Sequence, residues 1–377
     1  MKSHAPGYRL MAGVATLSAA LLLTACGSSS STKETASGST ADAAAIAKAA
    51  QERVAKESAP VTSGVPATGP AAVKGKFVVL IPCASASEGC AQPAKGAEEA
   101  AKLLGWKVVT IDGKGTADAQ SAAVRQAVAL KADGIITFAI DPSSIKGAVE
   151  QARKAGIKVV AQSTNPTDLV DFSDNPDTEG WNASGSYLAD YAIAKTGGKV
   201  KALVLHDTGF KTMITRHAAF EGALKQCATC EILETKLFTF ADLATSVPRT
   251  VQQMAQNHPD FNVIYIDYDY AVPTVLQGLK AVGVKDKIVL GSDGTSAAIE
   301  CIKQGCGQSA TTAFALDWAG WSNIDIINRI FAGEDPKGGA GTLKVKLVDA
   351  DVAKGIDNLW DGDLDFRAAY KKVWGIA

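Results

Sequence analysis

Lys76-Phe77-Val78-Val79-Leu80-Ile81-Pro82 is the stretch that decides the fold. Five apolar residues in succession suit a strand covered on both faces, because a strand with one wet face alternates polar and apolar side chains. Outward from it, strand-like and helix-like patterns take turns. Helical spacing covers 94–104, a strand 106–111, a helix 117–131, a strand 134–138, a helix 143–155 and a strand 157–161. After a less regular interval, helices are expected over 184–195, 213–225, 246–257, 271–282 and 295–304. The strands between them fall at 200–205, 232–235, 261–266 and 287–290. Such alternation predicts an α/β protein whose parallel sheets carry helices on both faces, and two runs predict two doubly wound lobes. Sheets of this kind bind ligands beyond the carboxyl ends of their strands, which directs attention to the loops that follow each strand.

The amino end is built differently. Lys2, His4 and Arg9 precede an uncharged, mostly apolar run over 10–25 that closes with Leu21-Leu22-Leu23. A basic start before a short apolar core is the layout of a secretory signal, and 16 residues are few for a membrane-spanning helix. Leu23-Thr24-Ala25-Cys26-Gly27 then resembles the bacterial lipobox, in which the cysteine is acylated and becomes the mature N-terminus. Residues 1–25 are therefore expected to be a lipoprotein signal peptide and Cys26 the lipidation site, rather than a chance cysteine after an ordinary signal or a short anchor helix. Two acyl chains suffice for stable anchoring. Residues 26–74, rich in Ser, Thr, Ala, Gly and Pro, are expected to form a flexible tether. The localisation that follows is the cell envelope, lipid-anchored and extracytoplasmic.

Without residues 1–25, which carry Lys2 and Arg9 and no acid, 36 basic residues face 39 acidic ones, a net −3. That balance offers nothing to nucleic acid. With Cys26 set aside, six cysteines remain in three close pairs: Cys83 and Cys90, Cys227 and Cys230, Cys301 and Cys306. Disulfides persist outside the cytoplasm, so three short-loop bridges are expected. The spacing Cys227-Ala228-Thr229-Cys230 also fits redox or metal chemistry, but His206, His217 and His258 are scattered in sequence and no second ligand pair lies near.

The chain has no Gly-x-Ser-x-Gly elbow, no Walker-type phosphate loop and no Gly-x-Gly-x-x-Gly after a strand. His206-Asp207 follows a strand without a nucleophile motif beside it. No catalytic residue, no metal and no cofactor is assigned, and the protein is expected to bind rather than catalyse. The binding signals are polar loops at strand ends. These are Ser85, Ser87 and Glu88, then Gln162, Ser163 and Thr164, then Asp207 with Phe210 and Arg216, then Asp267-Tyr268, and Asp293. Each could cap the next helix. Five of them around one cleft suit a small molecule instead, since carboxylates accept paired hydrogen bonds from vicinal hydroxyls or amines.

Several stretches carry a family resemblance. They are Lys76 to Pro82, Lys131-Ala132-Asp133-Gly134-Ile135-Ile136 before Asp141-Pro142, Ala155-Gly156-Ile157-Lys158-Val159-Val160, Phe172-Ser173-Asp174-Asn175, Val289-Leu290-Gly291-Ser292-Asp293-Gly294, and Asp365-Phe366-Arg367 to Trp374. From about Lys76 onward the chain resembles type I periplasmic binding proteins, especially the ribose-, galactose- and xylose-type receptors of ABC importers. The resemblance implies two lobes joined by a three-strand hinge, which close on a ligand by bending. The lobes are placed at 75–173 with 315–342, and at 174–314 with 343–377. It also implies ligand contacts at the first-strand loop, Ser163, Thr164, Arg216, Asp267, Asp293 and Phe314; apart from the resemblance, Phe314, Trp318, Tyr268 and Tyr270 could wall a pocket for a more apolar solute or equally belong to the core. The chain departs from the sugar binders of that group: its first-strand loop has no aromatic pair, Ser163-Thr164 stands where Asp-Arg is usual, and Phe314 replaces a hinge Gln. The expected function is capture of a small molecule, sugar or sugar-like, by a monomer that delivers it to an ABC permease. A sensing receptor of the same fold, or a binder of an apolar or aromatic solute, is the alternative.

Overall fold

The computed structural model describes residues 40–174, 178–340 and 344–376; the expected signal peptide and Cys26 lie outside them. The apolar run becomes β1 (Phe77–Pro82), second in a parallel sheet of order β2-β1-β3-β4-β5. Its neighbours are β2 (Lys107–Thr110), β3 (Gly134–Phe138), β4 (Lys158–Gln162) and β5 (Phe172–Asp174). Val78 and Leu80 enter a core with Phe138 and Trp321, while Val79 and Ile81 enter another with Val124 and Val149. Both faces of the strand are dry, as an unbroken apolar run requires. Helices α2 (Glu88–Leu103), α3 (Ala117–Ala129) and α4 (Lys146–Lys154) connect these strands.

The second sheet has the order β11-β10-β9-β8-β6-β7 and is parallel except for β10 against β11. It comprises β6 (Lys201–Asp207), β7 (Glu231–Phe238), β8 (Val263–Ile266), β9 (Ile288–Asp293), β10 (Ala310–Phe314) and β11 (Val345–Asp349). Around it lie α5 (Thr178–Lys195), α6 (Lys211–Gln226), α7 (Val247–Asn257), α8 (Val272–Ala281) and α9 (Ser296–Gln304). The chain passes from β5 of the first sheet to α5. It returns from β10 into α10 (Leu316–Ala332) and goes back to β11. In each sheet the strand order reverses beside one strand, between β1 and β3 and between β6 and β8, and those two switch points face the same cleft.

Helix α10 sits on α2 at van der Waals distance because two glycines cross there. A Cβ on Gly320 would lie 2.2 Å from the Pro93 carbonyl oxygen, and one on Gly96 would lie 2.5 Å from that of Asp317. Neither position admits even alanine without moving backbone. Among the described residues no helix is long and apolar enough to cross a membrane. The three cysteine pairs are bonded as expected, with Cα separations of 5.6, 5.3 and 5.0 Å, all within the span a disulfide bridges.

Two boundaries differ from expectation. Residues 40–74 are not a tether. Thr40–Glu57 forms α1, which buries Ala43, Ala47 and Ala50 against lobe two and places Arg53 on Asp190 of α5 with Nε at 2.7 Å. Beyond it, residues 61–73 are tied to the other lobe. The Trp106 indole donates to the Val73 carbonyl, Val73 donates to Asn328, and Val61 donates to Asp363. Small residues that read as linker composition are here small because they pack closely: Gly198 faces Ala43 so tightly that a Cβ would meet its carbonyl at 2.3 Å. The second difference concerns 343–377. Strand β11 and the short α11 (Ala350–Ala353) belong with lobe two, but α12 (Phe366–Val373) packs on α10. Trp374 stacks on Trp321 at 5.4 Å and Phe366 on Trp318 at 5.6 Å. Aromatic pairs stabilise beyond the area they bury, and α10 supplies the partners here.

Candidate functional site

The cleft between the lobes has two connected parts. The outer part, about 240 Å³, is lined by side chains that hydrogen-bond, among them Gln120, Ser144, Ser163, Thr164, Asn165 and Thr239. The inner part, about 50 Å³, is mostly apolar, walled by Trp181, Phe210, Met213, Tyr268, Phe314 and Leu316. Ser163, Phe210, Thr212 and Phe240 line both, so the two are continuous. Ala139, Ser163 and Asp293, all on the lining, hold φ of 54°, 57° and 110°. Left-handed backbone at non-glycine residues costs on the order of 1–3 kcal/mol each and tends to collect at functional sites.

Lobe two supplies the charged floor. Arg216 of α6 is fully buried and lies 5.0 Å from the Trp181 ring centre and 5.3 Å from that of Phe314. Its Nη1 donates to the Asp267 carbonyl and its Nη2 to Asp293 Oδ1 at 2.9 Å. Burial still holds the Asp293 carboxyl above its ordinary range despite that cation. Asp267 is fully engaged: Oδ2 faces His206 Nδ1 at 2.8 Å and accepts the Asp207 N–H at 2.7 Å, while Oδ1 accepts from Tyr265 at 3.0 Å. Asp207 accepts from the Tyr268 hydroxyl at 2.6 Å and from the Gly209 N–H at 2.7 Å. Burial raises the Asp207 carboxyl. Asp269 receives the N–H groups of Gly294 and Thr295, the Thr311 hydroxyl and the Gln308 amide, and so fixes the loop that carries Asp293.

Among the described residues, Glu88 and Phe240 each make a contact from one lobe to the other. Glu88, at the start of α2, accepts the Ser296 N–H at 2.7 Å and its hydroxyl at 2.8 Å, at the start of α9. On the opposite side Phe240, after β7, reaches Gly115 of lobe one, where a Cβ would lie 3.1 Å from the ring. Phe240 also stacks on Tyr270 at 5.6 Å.

Of the residues singled out in the sequence, Ser87, Gln162, Ser163, Thr164, Phe210, Tyr268, Asp293 and Phe314 line the cleft. Arg216 and Asp267 stand behind the wall and hold its members. Glu88 is a contact between the lobes. Ser85 is exposed, its N–H turned to Asp112 at 2.8 Å, and Trp318 lies in the α10–α12 core against Phe366. Both are corrections: neither borders the cleft. Trp181, Met213, Phe240 and Leu316 border it unforeseen. Phe240 was legible in principle, as an aromatic just past a strand, but β7 runs to Phe238 rather than Thr235. The first turns of α5 and all of α10, which bring Trp181 and Leu316, lay in stretches without a readable period.

His206 and His217, scattered in sequence, meet in space. With Asp267 their ligand atoms lie within 4.8 Å of one another. The rings stack at 4.0 Å with 9° between their planes, so their in-plane lone pairs run parallel instead of converging on a common ion. Asp267 Oδ2 is already taken. Burial and the neighbouring His206 lower the His217 pKa, which keeps that ring neutral. The pair buttresses Asp267; its geometry does not suit a metal.

Comparison with known proteins agrees with this architecture. Ribose import binding protein RbsB of Bacillus subtilis (strain 168) is 26% identical over 219 residues, 55% of this chain and 67% of the relative. An ABC transporter solute binding protein from Mycobacterium smegmatis with bound glycerol superposes with a TM-score of 0.64 at 19% identity, covering 76% of this chain and 99% of that one. A Caulobacter myo-inositol binding protein bound to myo-inositol gives 0.65 at 18%, covering 76% and 97%. The family model for the periplasmic binding protein domain matches residues 77–335, which include every strand of both sheets but β11. The chain belongs to the periplasmic binding protein family, and it is a binding protein rather than an enzyme.

Proposed function

We propose that this protein captures a sugar or sugar-like solute between its lobes outside the cytoplasm and delivers it to the permease of an ABC importer. The observation that carries the reading is the cleft itself. A hydroxyl- and amide-lined chamber lies between two switch points and opens into a mostly apolar one, whose lining includes Asp293 held by the buried Arg216. Neutral, hydroxylated molecules suit such walls, which offer many hydrogen bonds and little net charge. The relatives named above are, by name, a ribose import binding protein, a solute binding protein with bound glycerol and a myo-inositol binding protein, which points the same way. Lipidation at Cys26 and a monomeric state complete the proposal. In this arrangement the acylated end holds the protein at the membrane, and α1 fastens the lead-in segment to lobe two rather than leaving it loose.

A thermal-shift screen of the purified chain tests the ligand class, with sugars and polyols set against amino acids and aromatic acids. A ligand at 100 times its Kd should add about 2.7 kcal/mol of stability. A shift confined to amino acids or aromatic acids would overturn the sugar reading.

A further inference from the structure

The two parts of the cleft differ in chemistry, and their sizes say which end of a ligand each takes. The inner 50 Å³ is too small for a whole sugar ring but admits an alkyl, alkylthio or ring-edge group. Its walls are Trp181, Phe210, Met213, Tyr268, Phe314 and Leu316. Hydroxyls placed there would meet mostly apolar surface: Tyr268 donates its own hydroxyl to Asp207, Asp293 has given one oxygen to Arg216, and the other polar side chains on the lining are Ser87, Gln162, Ser163 and Thr212. The outer 240 Å³ holds hydroxyls and amides suited to a polyol.

We infer that the ligand is a sugar or polyol bearing an apolar substituent through an ether, glycosidic or thioether atom. The substituent fills the inner chamber, against the Trp181 and Phe314 rings. The hydroxylated part lies outward against Ser144, Ser163, Thr164, Asn165 and Thr239. This rests on the sugar reading above and narrows it.

The test is calorimetric titration of the purified chain with matched pairs: ribose against methyl riboside and 5-methylthioribose, and galactose against phenyl galactoside. The substituted member of at least one pair should bind about tenfold or more tighter, the usual effect of one or a few carbons entering a fitted apolar pocket. Trp181→Phe, which withdraws part of one aromatic wall from the substituent, should shrink that preference several-fold. Phe314→Gln should reduce it further by making the chamber polar. If free sugars bind as well as or better than every substituted partner, the inference fails and the sugar reading survives. If no member of any pair binds, both fail. A preference that Trp181→Phe and Phe314→Gln leave unchanged would also overturn it, since the substituent would then lie elsewhere.

Discussion

The two lobes bury their acids in opposite ways. In lobe two, each carboxylate oxygen of Asp207, Asp267 and Asp269 has at least one partner, drawn from backbone N–H groups, Tyr, Thr and Gln side chains, and His206. In lobe one, Asp174 at the end of β5 is just as buried, yet among the described residues its side chain receives only the Asn323 amide at 3.0 Å. Among those residues Asp174 Oδ1 and Asn323 Oδ1 are both left without a partner. Burial pushes the Asp174 carboxyl up to about 7. Lobe two is thus the preorganised half, fixed before a ligand arrives. Lobe one meets it mostly with hydroxyls and amides, beside Asp141 and Glu88, and carries its unsettled acid at the strand that leads into the hinge.

Breaking the lobe-two network should have the largest effect. Arg216→Ala removes the partner of a buried Asp293 and the support of the Asp267 carbonyl, which should cost roughly 3–5 kcal/mol of stability and most of the ligand affinity. Thermal unfolding and titration with the best ligand of the screen measure both. A variant within 1 kcal/mol of the parent would show that the floor is not held by this pair.

Lobe one should respond to pH. The folded Asp174 carboxyl titrates near 7 and an unfolded one near 3.8, so the folded state holds an extra proton between those values. The stability it contributes is full below about pH 4 and is lost as pH rises toward 7. Asp174→Asn should therefore stabilise the protein by about 1–3 kcal/mol at pH 8 and change little at pH 4. Chemical denaturation at the two pH values is the measurement, and an equal effect at both would contradict the assignment.

The smallest effect should come from one of the contacts that join the two halves. Glu88→Ala removes the hydrogen bonds to Ser296 and should weaken ligand binding only about fivefold, through a shift toward the open state. A loss beyond about fiftyfold would instead return Glu88 to the ligand-contact role that its place in the sequence suggested.

The comparison also explains what could be read early. Strand-end loops mark a cleft wherever a parallel sheet has a switch point, so Gln162, Ser163, Phe210, Tyr268 and Asp293 were legible from alternation alone. Asp267 was found by the same rule, but its oxygens are spent inside the lobe, a fact that depends on Tyr265 and His206 arriving from the chain around it. Trp318 and Phe314 carry the same local signal, four residues apart, and only packing separates the core residue from the wall residue.

By itself the sequence determined the two-lobed α/β fold, because apolar runs and helical periods are local consequences of which faces must be dry. It also determined the cysteine pairing, since each partner lies within a few residues. Tertiary structure decided what long-range contacts decide: that residues 40–74 pack instead of swinging free, that α12 covers α10, and that Trp181 and Phe240 complete the cleft. Those outcomes depend on surfaces that meet only after the chain has folded, so no local pattern of spacing could announce them.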